Sequence, residues 1–184
     1  MAAICVYCAS SERIEARFVE LATEVGAELA SRGHTLVSGG GRVSMMGAVA
    51  TAARAGGAHT LGVIPVQLEG LEVTDTEADE LVRTPDMRAR KAIMDDRADA
   101  FLGLPGGIGT LEEVFEVWTS RSLDMHAKPV VLLDPYGFYD GLFRWLREVS
   151  DAGFVRAEAL AALTLATTVS EAFDLLEKDL PSPG

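Results

Sequence analysis

The sequence predicts an α/β fold with a doubly wound parallel sheet, flanked by helices on both faces, in a single domain. Short, continuously apolar segments alternate along the chain with segments whose apolar residues recur at helical spacing, the pattern of a parallel sheet buried on both faces. Glycine-rich loops directly follow two of the apolar segments. The length of 184 residues suits one domain with a sizeable core.

The first half of the chain contains three predicted strands, at residues 3–8, 35–38 and 60–65. Between the first two, residues 14–32 carry apolar side chains at helical spacing and stop at Gly33, a residue typical of helix ends. A helix of small residues is expected to run through Ala55. The acidic segment 66–84 has no regular pattern and is predicted to be a loop or flap.

The second half continues the alternation of helices and strands. Strands are expected at 100–104, 129–133 and 163–166, and helices at 86–97, 138–150 and 170–179, with a further helix ending near residue 122. We therefore predict one domain over residues 1–180. The tail 181–184, Pro-Ser-Pro-Gly, is expected to be disordered, because chain ends that are not tied down by packing are poorly ordered.

The acidic composition disfavours several classes of function. The formal net charge is −12, whereas a general nucleic-acid binder neutralises phosphates with Lys and Arg. No apolar run approaches the roughly 18 residues of a membrane span, and no basic region followed by a long apolar stretch marks a signal peptide. We expect a cytoplasmic protein that binds neither nucleic acid nor membranes.

Neither a metal site nor a disulfide is expected. Cys5 and Cys8 form a C-x-x-C on the first predicted strand, where a spacing of three points the two side chains to opposite faces. Two buried or half-buried thiols in a reducing compartment are the better interpretation. The three histidines, His34, His59 and His126, are scattered without the spacing of metal ligands.

Two glycine-rich loops, residues 39–41 and 106–109, follow predicted strands and therefore belong at the carboxyl ends, where parallel sheets bind ligands. The first loop lacks the third glycine of a dinucleotide-binding motif, since Ser44 stands there, and neither loop continues into the Gly-Lys-Ser/Thr of a P-loop. A nicotinamide cofactor is therefore disfavoured. The second loop runs into a helix start, where free N–H groups and the helix dipole favour a phosphate.

Two features near the second loop have ordinary structural interpretations. Thr110 and Glu113 have the spacing of a helix capping box, Thr-x-x-Glu, which Thr168 and Glu171 repeat before the last helix. A basic cluster within nine residues is most simply interpreted as a solvated helix face: Arg83, Arg88, Arg90 and Lys91. Taken alone, such residues are caps and surface charges more often than they are catalysts.

Longer sequence motifs around these residues favour a functional role over a purely structural one. Residues 105–113, Pro-Gly-Gly-Ile-Gly-Thr-Leu-Glu-Glu, resemble at every fixed position the P-G-G-x-G-T-x-x-E signature of the Lonely Guy family. Residues 87–94, Met-Arg-Ala-Arg-Lys-Ala-Ile-Met, are similar to that family's M-H-x-R-K-x-x-M helix. Residues 39–47 resemble its G-G-G-x-x-G-L-M-G loop, and residues 8–11 resemble its C-G-S-S opening. The likeness spans most of the chain.

The chain departs from the family pattern at a few positions. Arg88 stands where the family usually has His, Ser44 and Met45 replace Gly and Leu, and Ala9 replaces a glycine. None of these changes removes a residue to which the family's chemistry is assigned. Arg88 is the change that bears on the base or phosphate pocket.

The resemblance implies a Rossmann-like enzyme that hydrolyses the N-glycosidic bond of N6-modified adenosine 5′-monophosphates (cytokinin nucleotides), with AMP as a further candidate. It implies no cofactor, and a homodimer with the site near the subunit interface. Arg90 and Glu113 match the family's catalytic pair, and residues 107–110 match the part that holds the 5′-phosphate. The matched substrate-binding positions are Glu72, Met87, Lys91, Gly106, Gly107, Ile108, Gly109, Thr110 and Thr119.

Two other functions share this general fold and its glycine loops: a non-catalytic carrier of a nucleotide or of molybdenum cofactor, and a regulatory nucleotide sensor. A carrier has no need of a carboxylate paired with basic residues, so Glu113 with Arg90 and Lys91 speaks against it. The Lonely Guy family has also been labelled lysine decarboxylase. No feature of the sequence indicates a pyridoxal-phosphate site, and we reject that function.

Overall fold

The computed structural model describes residues 1–69 and 74–180, which form one seven-stranded sheet between two layers of helices. The strands are β1 (Ala3–Tyr7), β2 (Thr35–Ser38), β3 (Thr60–Pro65), β4 (Glu80–Thr84), β5 (Ala100–Gly103), β6 (Val130–Leu133) and β7 (Leu163–Ala166). The helices are α1 (Ala16–Ser31), α2 (Ser44–Ala55), α3 (Met87–Arg97), α4 (Ile108–Ser122), α5 (Asp140–Asp151), α6 (Ala157–Ala161) and α7 (Val169–Lys178). None of the described helices is both long and apolar enough to cross a membrane.

All seven strands are parallel, in the order β4-β3-β2-β1-β5-β6-β7. The order reverses at β1, which pairs with β2 on one side and with β5 on the other. In a doubly wound sheet the ligand crevice lies at such a reversal, outside the carboxyl ends of the strands. The predicted fold class is confirmed, and the reversal places this crevice beside the loops that follow β1 and β5.

Two hydrophobic cores cover the two faces of the sheet. Helices α1, α2 and α7 pack on one face, where Phe173 is fully buried, and helices α3, α4 and α5 pack on the other, around Met94. Cys8 belongs to the first core and Cys5 to the second, as the strand spacing predicts, and both are free thiols. Burial raises the pKa of both thiols, so neither is a reactive thiolate.

Two observed elements are absent from the sequence prediction. The loop predicted over residues 66–84 is wrong at its carboxyl end, where β4 pairs with β3 from Leu61 with Glu80 to Pro65 with Thr84. Strand β4 lies at the edge of the sheet and has a half-exposed, charged sequence, so it lacks the continuous apolar run of the inner strands. The five-residue helix α6 is the second addition.

The other predicted elements lie close to their expected bounds. Two expectations fall on residues outside the described part of the chain: the substrate-binding position Glu72 and the tail 181–184.

His126 ties the end of α4 to the segment that leads into β6. Its Nε2 donates to Val117 O at 3.0 Å, and its Nδ1 accepts from the Lys128 N–H at 3.2 Å. These two partners require the neutral ring with its proton on Nε2. Burial lowers the pKa of His126 below its ordinary value. The ring therefore stabilises the fold in its neutral form.

We expect the stabilising effect of His126 to depend on pH. Because its pKa is lowered in the folded chain, the folded state binds fewer protons than the unfolded state below the ordinary value of about 6.5. The contribution of His126 to the free energy of unfolding is therefore fully present above that pH and is lost as the pH falls below it. Urea unfolding of the native protein and of His126→Gln at about pH 7.5 and about pH 5.5 measures this effect. The difference in unfolding free energy between the two proteins should shrink at the lower pH, and a constant difference would contradict the assignment.

Candidate active site

A cleft of about 320 Å³ lies at the carboxyl ends of the central strands, beside the point where the strand order reverses. The loop after β1, residues 8–11, forms one wall, and the first turns of α4 form another. Helix α3 contributes Met87 and Arg90, and the apolar side chains of Met46 and Leu68 complete the lining. The fold therefore collects in one place segments that are far apart in the chain.

The N-terminus of α4 faces the cleft with free backbone donors. Gly107 is the N-cap residue, and the first intrahelical hydrogen bond runs from the Leu111 N–H to Gly107 O at 3.0 Å. The N–H groups of Ile108, Gly109 and Thr110 therefore precede the first intrahelical bond. Ile108 is 89% exposed, so this turn is open to solvent. Together with the helix dipole, these donors suit an anion such as a phosphate.

The alternative of a capping box at Thr110 and Glu113 is wrong. Helix α4 begins at Ile108, so Thr110 is its third residue rather than its N-cap. In α7, by contrast, Thr168 is the N-cap, and its Oγ1 accepts from the Glu171 N–H at 3.2 Å. The same spacing caps one helix and not the other, because the two loops enter their helices at different points of the motif.

The glycines of the second loop serve two different purposes. A Cβ atom on Gly106 would lie 2.1 Å from Thr110 Oγ1, so glycine is needed there for the loop to pack against Thr110. A Cβ atom on Gly107 or Gly109 would meet no described heavy atom within 4 Å. Packing within the chain does not require glycine at those two positions, whereas a ligand that lies close to the backbone would.

Arg90 is held by the ends of two neighbouring strands. The residue is only 6% exposed; its Nε donates to Val63 O at 3.1 Å, and its Nη2 donates to Gly39 O at 3.0 Å. A Cβ atom on Gly39 would lie 1.8 Å from Nη2, which explains the glycine at the start of the first loop. The guanidinium is therefore fixed by the backbone at the carboxyl ends of β2 and β3.

Glu113 lies opposite Arg90 on the second turn of α4. Its Oε1 is 3.9 Å from Arg90 Nη1, and 12% of its side chain is exposed. Glu113 borders both the cleft and a second cavity of about 200 Å³, which Arg88 and Lys91 also line. A partly desolvated carboxylate beside a fixed guanidinium is suited to stabilise a cationic centre or to orient a water molecule.

The basic cluster does not converge on the cleft. Arg83 lies on β4 and is paired with an acidic residue of the preceding loop. The Lys91 ammonium binds the carboxylates of Glu112 and Glu116 on α4, and these hydrogen bonds raise the pKa of Lys91. Of the four basic residues, the structure brings Arg90 to the lining of the cleft.

The first glycine loop leads into α2 through a residue in unusual backbone geometry. Ser44 has φ +53°, in the left-handed region that favours glycine, which is the residue of the resembled family pattern at this position. Its Oγ donates to Ser11 O at 2.6 Å and so ties α2 to the wall of the cleft. The chain thus accommodates serine with a hydrogen bond that glycine could not make.

The structure brings most of the expected site residues together. Those that line the cleft are Met87, Arg90, Gly107, Ile108, Gly109, Thr110 and Glu113. Gly106 supports them from behind, through its contact with Thr110.

Two further expected residues of the described chain do not line the cleft. Lys91 faces the second cavity and is paired with α4. Thr119 is exposed further along α4, away from the cleft of its own chain. Glu72 lies outside the described residues.

Several other residues line the cleft, and none of them is expected at the site from the sequence. They are Cys8, Ala9, Ser10, Ser11, Met46, Leu68 and Glu112. Residues 8–11 follow a central strand, and this position at a carboxyl end is the signal that could have identified them. Met46 stands in the loop that resembles the family pattern, whereas no such signal marks Leu68, because apolar residues most often belong to the core. Within residues 1–69 and 74–180, no group of three His, Cys, Asp or Glu side chains is placed to hold a metal ion.

Comparisons with known proteins agree with these motifs. The protein family described as "Possible lysine decarboxylase" matches residues 46–176. The cytokinin riboside 5′-monophosphate phosphoribohydrolase of Mycobacterium tuberculosis is 52% identical over 92% of this chain and 90% of its own length. The cytokinin riboside 5′-monophosphate phosphoribohydrolase LOG of Oryza sativa subsp. japonica is 43% identical over 97% of this chain and 74% of its own length.

Among solved structures, the molybdenum cofactor binding protein of the phototrophic bacterium Rippkaea orientalis is similar to this chain. The TM-score is 0.73, and the match covers 96% of each chain at 22% sequence identity. At that identity the likeness concerns the fold alone.

We expect alanine at Gly39 to destabilise the chain. Its methyl group would collide with Arg90 Nη2, so the guanidinium must leave the Gly39 carbonyl, and a buried hydrogen bond to a charged group is lost, at a cost of about 2 kcal/mol. Gly109→Ala is the matched control, because its methyl group meets open space and alanine favours a helix by up to about 1 kcal/mol. Urea unfolding compares the two variants. Equal stabilities would show that Gly39 does not hold Arg90 in place.

Proposed function

The chain belongs to the family of cytokinin riboside 5′-monophosphate phosphoribohydrolases, and we propose that it is an enzyme that hydrolyses the N-glycosidic bond of N6-modified adenosine 5′-monophosphates. The products are the free base and ribose 5-phosphate. AMP, the unmodified member of the same class, is included as a further substrate. The observation that carries the proposal is that a single cleft joins a helix N-terminus to the Arg90–Glu113 pair.

In this proposal the 5′-phosphate binds at the first turn of α4. Residues 107–110 offer backbone N–H groups, and two glycines leave space beside them. A chain of net charge −12 repels a dianion at long range, so binding has to come from such a concentrated site. Hydrogen bonds to a charged group contribute about 1.5–3 kcal/mol each, so two or more of them favour the monophosphate over the riboside by about 10²-fold or more.

Glu113 acts at the glycosidic bond. Breaking that bond develops positive charge on the ribose ring, as in other glycoside hydrolyses. Glu113 is four residues beyond Gly109, which corresponds to about 6 Å along the helix axis, a separation that a ribose ring bridges. From there its carboxylate stabilises the charged ring or orients the attacking water.

Arg90 keeps the catalytic carboxylate in position. Two of its nitrogens are engaged by the carbonyls of Gly39 and Val63, and the remaining Nη1 is 3.9 Å from Glu113 Oε1. Because these carbonyls set the orientation of the guanidinium before a substrate binds, the pair is preorganised and needs little rearrangement during the reaction.

The base and its N6 substituent lie against the apolar part of the cleft. Met46, Leu68 and Met87 line that part, and Ile108 stands at its mouth. An apolar substituent such as an isopentenyl group would be removed from water there, which favours binding.

The proposal includes no cofactor and no metal, since electrostatic and acid–base catalysis by side chains suits a hydrolysis of this kind. The alternative of a non-catalytic nucleotide or molybdenum-cofactor carrier is compatible with the fold but leaves the Arg90–Glu113 pair without a role. A cytoplasmic location, in which the thiols of Cys5 and Cys8 stay reduced, belongs to the same proposal.

A homodimer with the cleft at the subunit interface is also part of the proposal. Thr119, a binding position by resemblance, is exposed on α4 and lies outside the cleft of its own chain. Three large apolar side chains are exposed near the ends of that helix: Ile108, Leu123 and Met125. A second copy that covers α4 would bury these side chains and bring its own Thr119 towards the cleft.

The purified protein should release adenine from AMP, or isopentenyladenine from its riboside 5′-monophosphate, without added metal or nicotinamide. Glu113→Gln keeps the size of the side chain but removes its charge. We expect this change to lower turnover by roughly 10²-fold or more while the fold survives. Chromatography of the free base measures turnover, and circular dichroism checks the fold.

Glu116→Gln is the matched control for that experiment. Glu116 lies on the same helix, is paired with Lys91 and does not line the cleft. The turnover of Glu116→Gln should therefore stay within about twofold of native. A native rate in Glu113→Gln would contradict the catalytic role. Absence of free base from either nucleotide would favour the carrier instead.

A shared site can be tested by combining two inactive subunits. If Thr119 serves the partner's cleft, Thr119→Arg and Glu113→Gln should each be inactive alone, whereas their mixed dimers contain one complete site. Random assembly after co-expression should then restore roughly a quarter of the native activity, because half of the dimers are mixed and half of their sites are intact. No restoration would show that Thr119 and Glu113 act within one chain, and an active Thr119→Arg would show that Thr119 has no role.

A further inference from the structure

The hydroxyl of Tyr139 is buried beneath the second glycine loop. Tyr139 is 2% exposed, and its Oη donates to Leu104 O at 2.7 Å. The hydroxyl thus fixes the carbonyl that directly precedes Pro105, a residue without an N–H of its own. Gly107, the N-cap of α4, lies two residues beyond Pro105.

The turn between β6 and α5 holds Tyr139 in this position. Asp134, buried at the end of β6, accepts hydrogen bonds from the N–H groups of Tyr136, Phe138 and Tyr139 at 3.2, 2.8 and 2.6 Å. Gly137 has φ +71°, a conformation that allows the chain to close around the carboxylate. The Tyr139 hydroxyl therefore approaches the glycine loop from a rigid base.

We propose that Tyr139 is a positioning residue for the substrate phosphate: its hydroxyl sets the path of residues 104–106 and thereby the direction of the N–H groups at the start of α4. The inference rests on the proposed function of the cleft. Tyr139 does not itself line the cleft, so it acts through the loop rather than by touching the substrate.

The role of the hydroxyl can be separated from the role of the ring. Tyr139→Phe keeps the buried ring but leaves the Leu104 carbonyl without its side-chain partner. The loop can replace this hydrogen bond only by moving. A displacement there shifts the N–H donors at the start of α4 relative to the phosphate and weakens binding.

This weakening has a selective consequence. The kcat/KM of Tyr139→Phe for the nucleoside 5′-monophosphate should fall by about tenfold or more, chiefly through a higher KM, because the phosphate contacts are present in both the bound substrate and the transition state. The kcat/KM for the corresponding riboside, which has no phosphate, should stay close to native. A variant that is merely less stable would lose both activities by the same factor.

The experiment compares the native protein, Tyr139→Phe and Tyr136→Phe. Each is assayed with isopentenyladenosine 5′-monophosphate and with isopentenyladenosine, and its affinity for ribose 5-phosphate is measured by calorimetry. Tyr136→Phe is the matched control, because it removes from the same turn a hydroxyl that donates to Arg17 O at 3.4 Å, away from the loop. It should retain the native preference for the monophosphate.

Asp134→Asn provides a second test and replaces Tyr139→Phe if that variant does not fold. The amide keeps one acceptor oxygen and replaces the other with an NH2 donor that cannot accept from the turn, so the preference for the monophosphate should shrink in the same direction. A native preference and a native affinity for ribose 5-phosphate in the folded variant would overturn the inference.

The result also separates this inference from the proposed function. If the native protein releases no base, the proposed function fails, and calorimetry alone then decides the role of Tyr139. Ribose 5-phosphate binding that is about tenfold weaker in Tyr139→Phe than in Tyr136→Phe would uphold that role. Equal binding, or no binding to the native protein, would overturn it.

Discussion

The site depends on the way in which the sheet holds Arg90. A buried guanidinium is costly unless its donors are paired, and here the carbonyls of Val63 and Gly39 accept two of them. Val63 lies within β3 and Gly39 directly follows β2, so the position of the charge is set by the backbone of the sheet. This contact requires glycine at position 39, since any side chain at that residue would occupy the space of the guanidinium. It also sets the position of α3, which carries Arg90.

Two groups of the cleft that favour an anion are held in place by the backbone. One is the start of α4, where N–H groups precede the first intrahelical bond. The other is Arg90. Lys91, its neighbour in the chain, is paired with Glu112 and Glu116 and so adds little to the field in the cleft. Under the proposed function, a strongly acidic protein thus attracts a phosphate through one concentrated site.

Much of this arrangement follows from local patterns. Continuous apolar runs identify the inner strands because both of their faces are buried, and the loop before α4 is identified because glycines follow such a run and precede a helix. The edge strand β4 cannot be identified in this way, since one of its sides faces solvent and its sequence carries charges. The capping motif misleads for a related reason: Thr110-x-x-Glu113 has the correct spacing, but the helix starts two residues before Thr110.

The sequence by itself determined the doubly wound fold and the glycine loop that opens α4, because strands, turns and helix starts depend on neighbours in the chain. Its resemblance to a known family singled out Arg90 and Glu113. Only the tertiary structure decided which charged residues reach the cleft. One turn of α3 carries Arg88, Arg90 and Lys91, but their side chains have different surroundings. Backbone carbonyls of the sheet lie on one side of the helix and bind Arg90, whereas the carboxylates of α4 lie on another side and bind Lys91. Those partners are distant in the chain, and so is Tyr139, whose hydroxyl holds a loop more than thirty residues away. Contacts of that kind arise from the packing of elements whose order in space differs from their order in sequence.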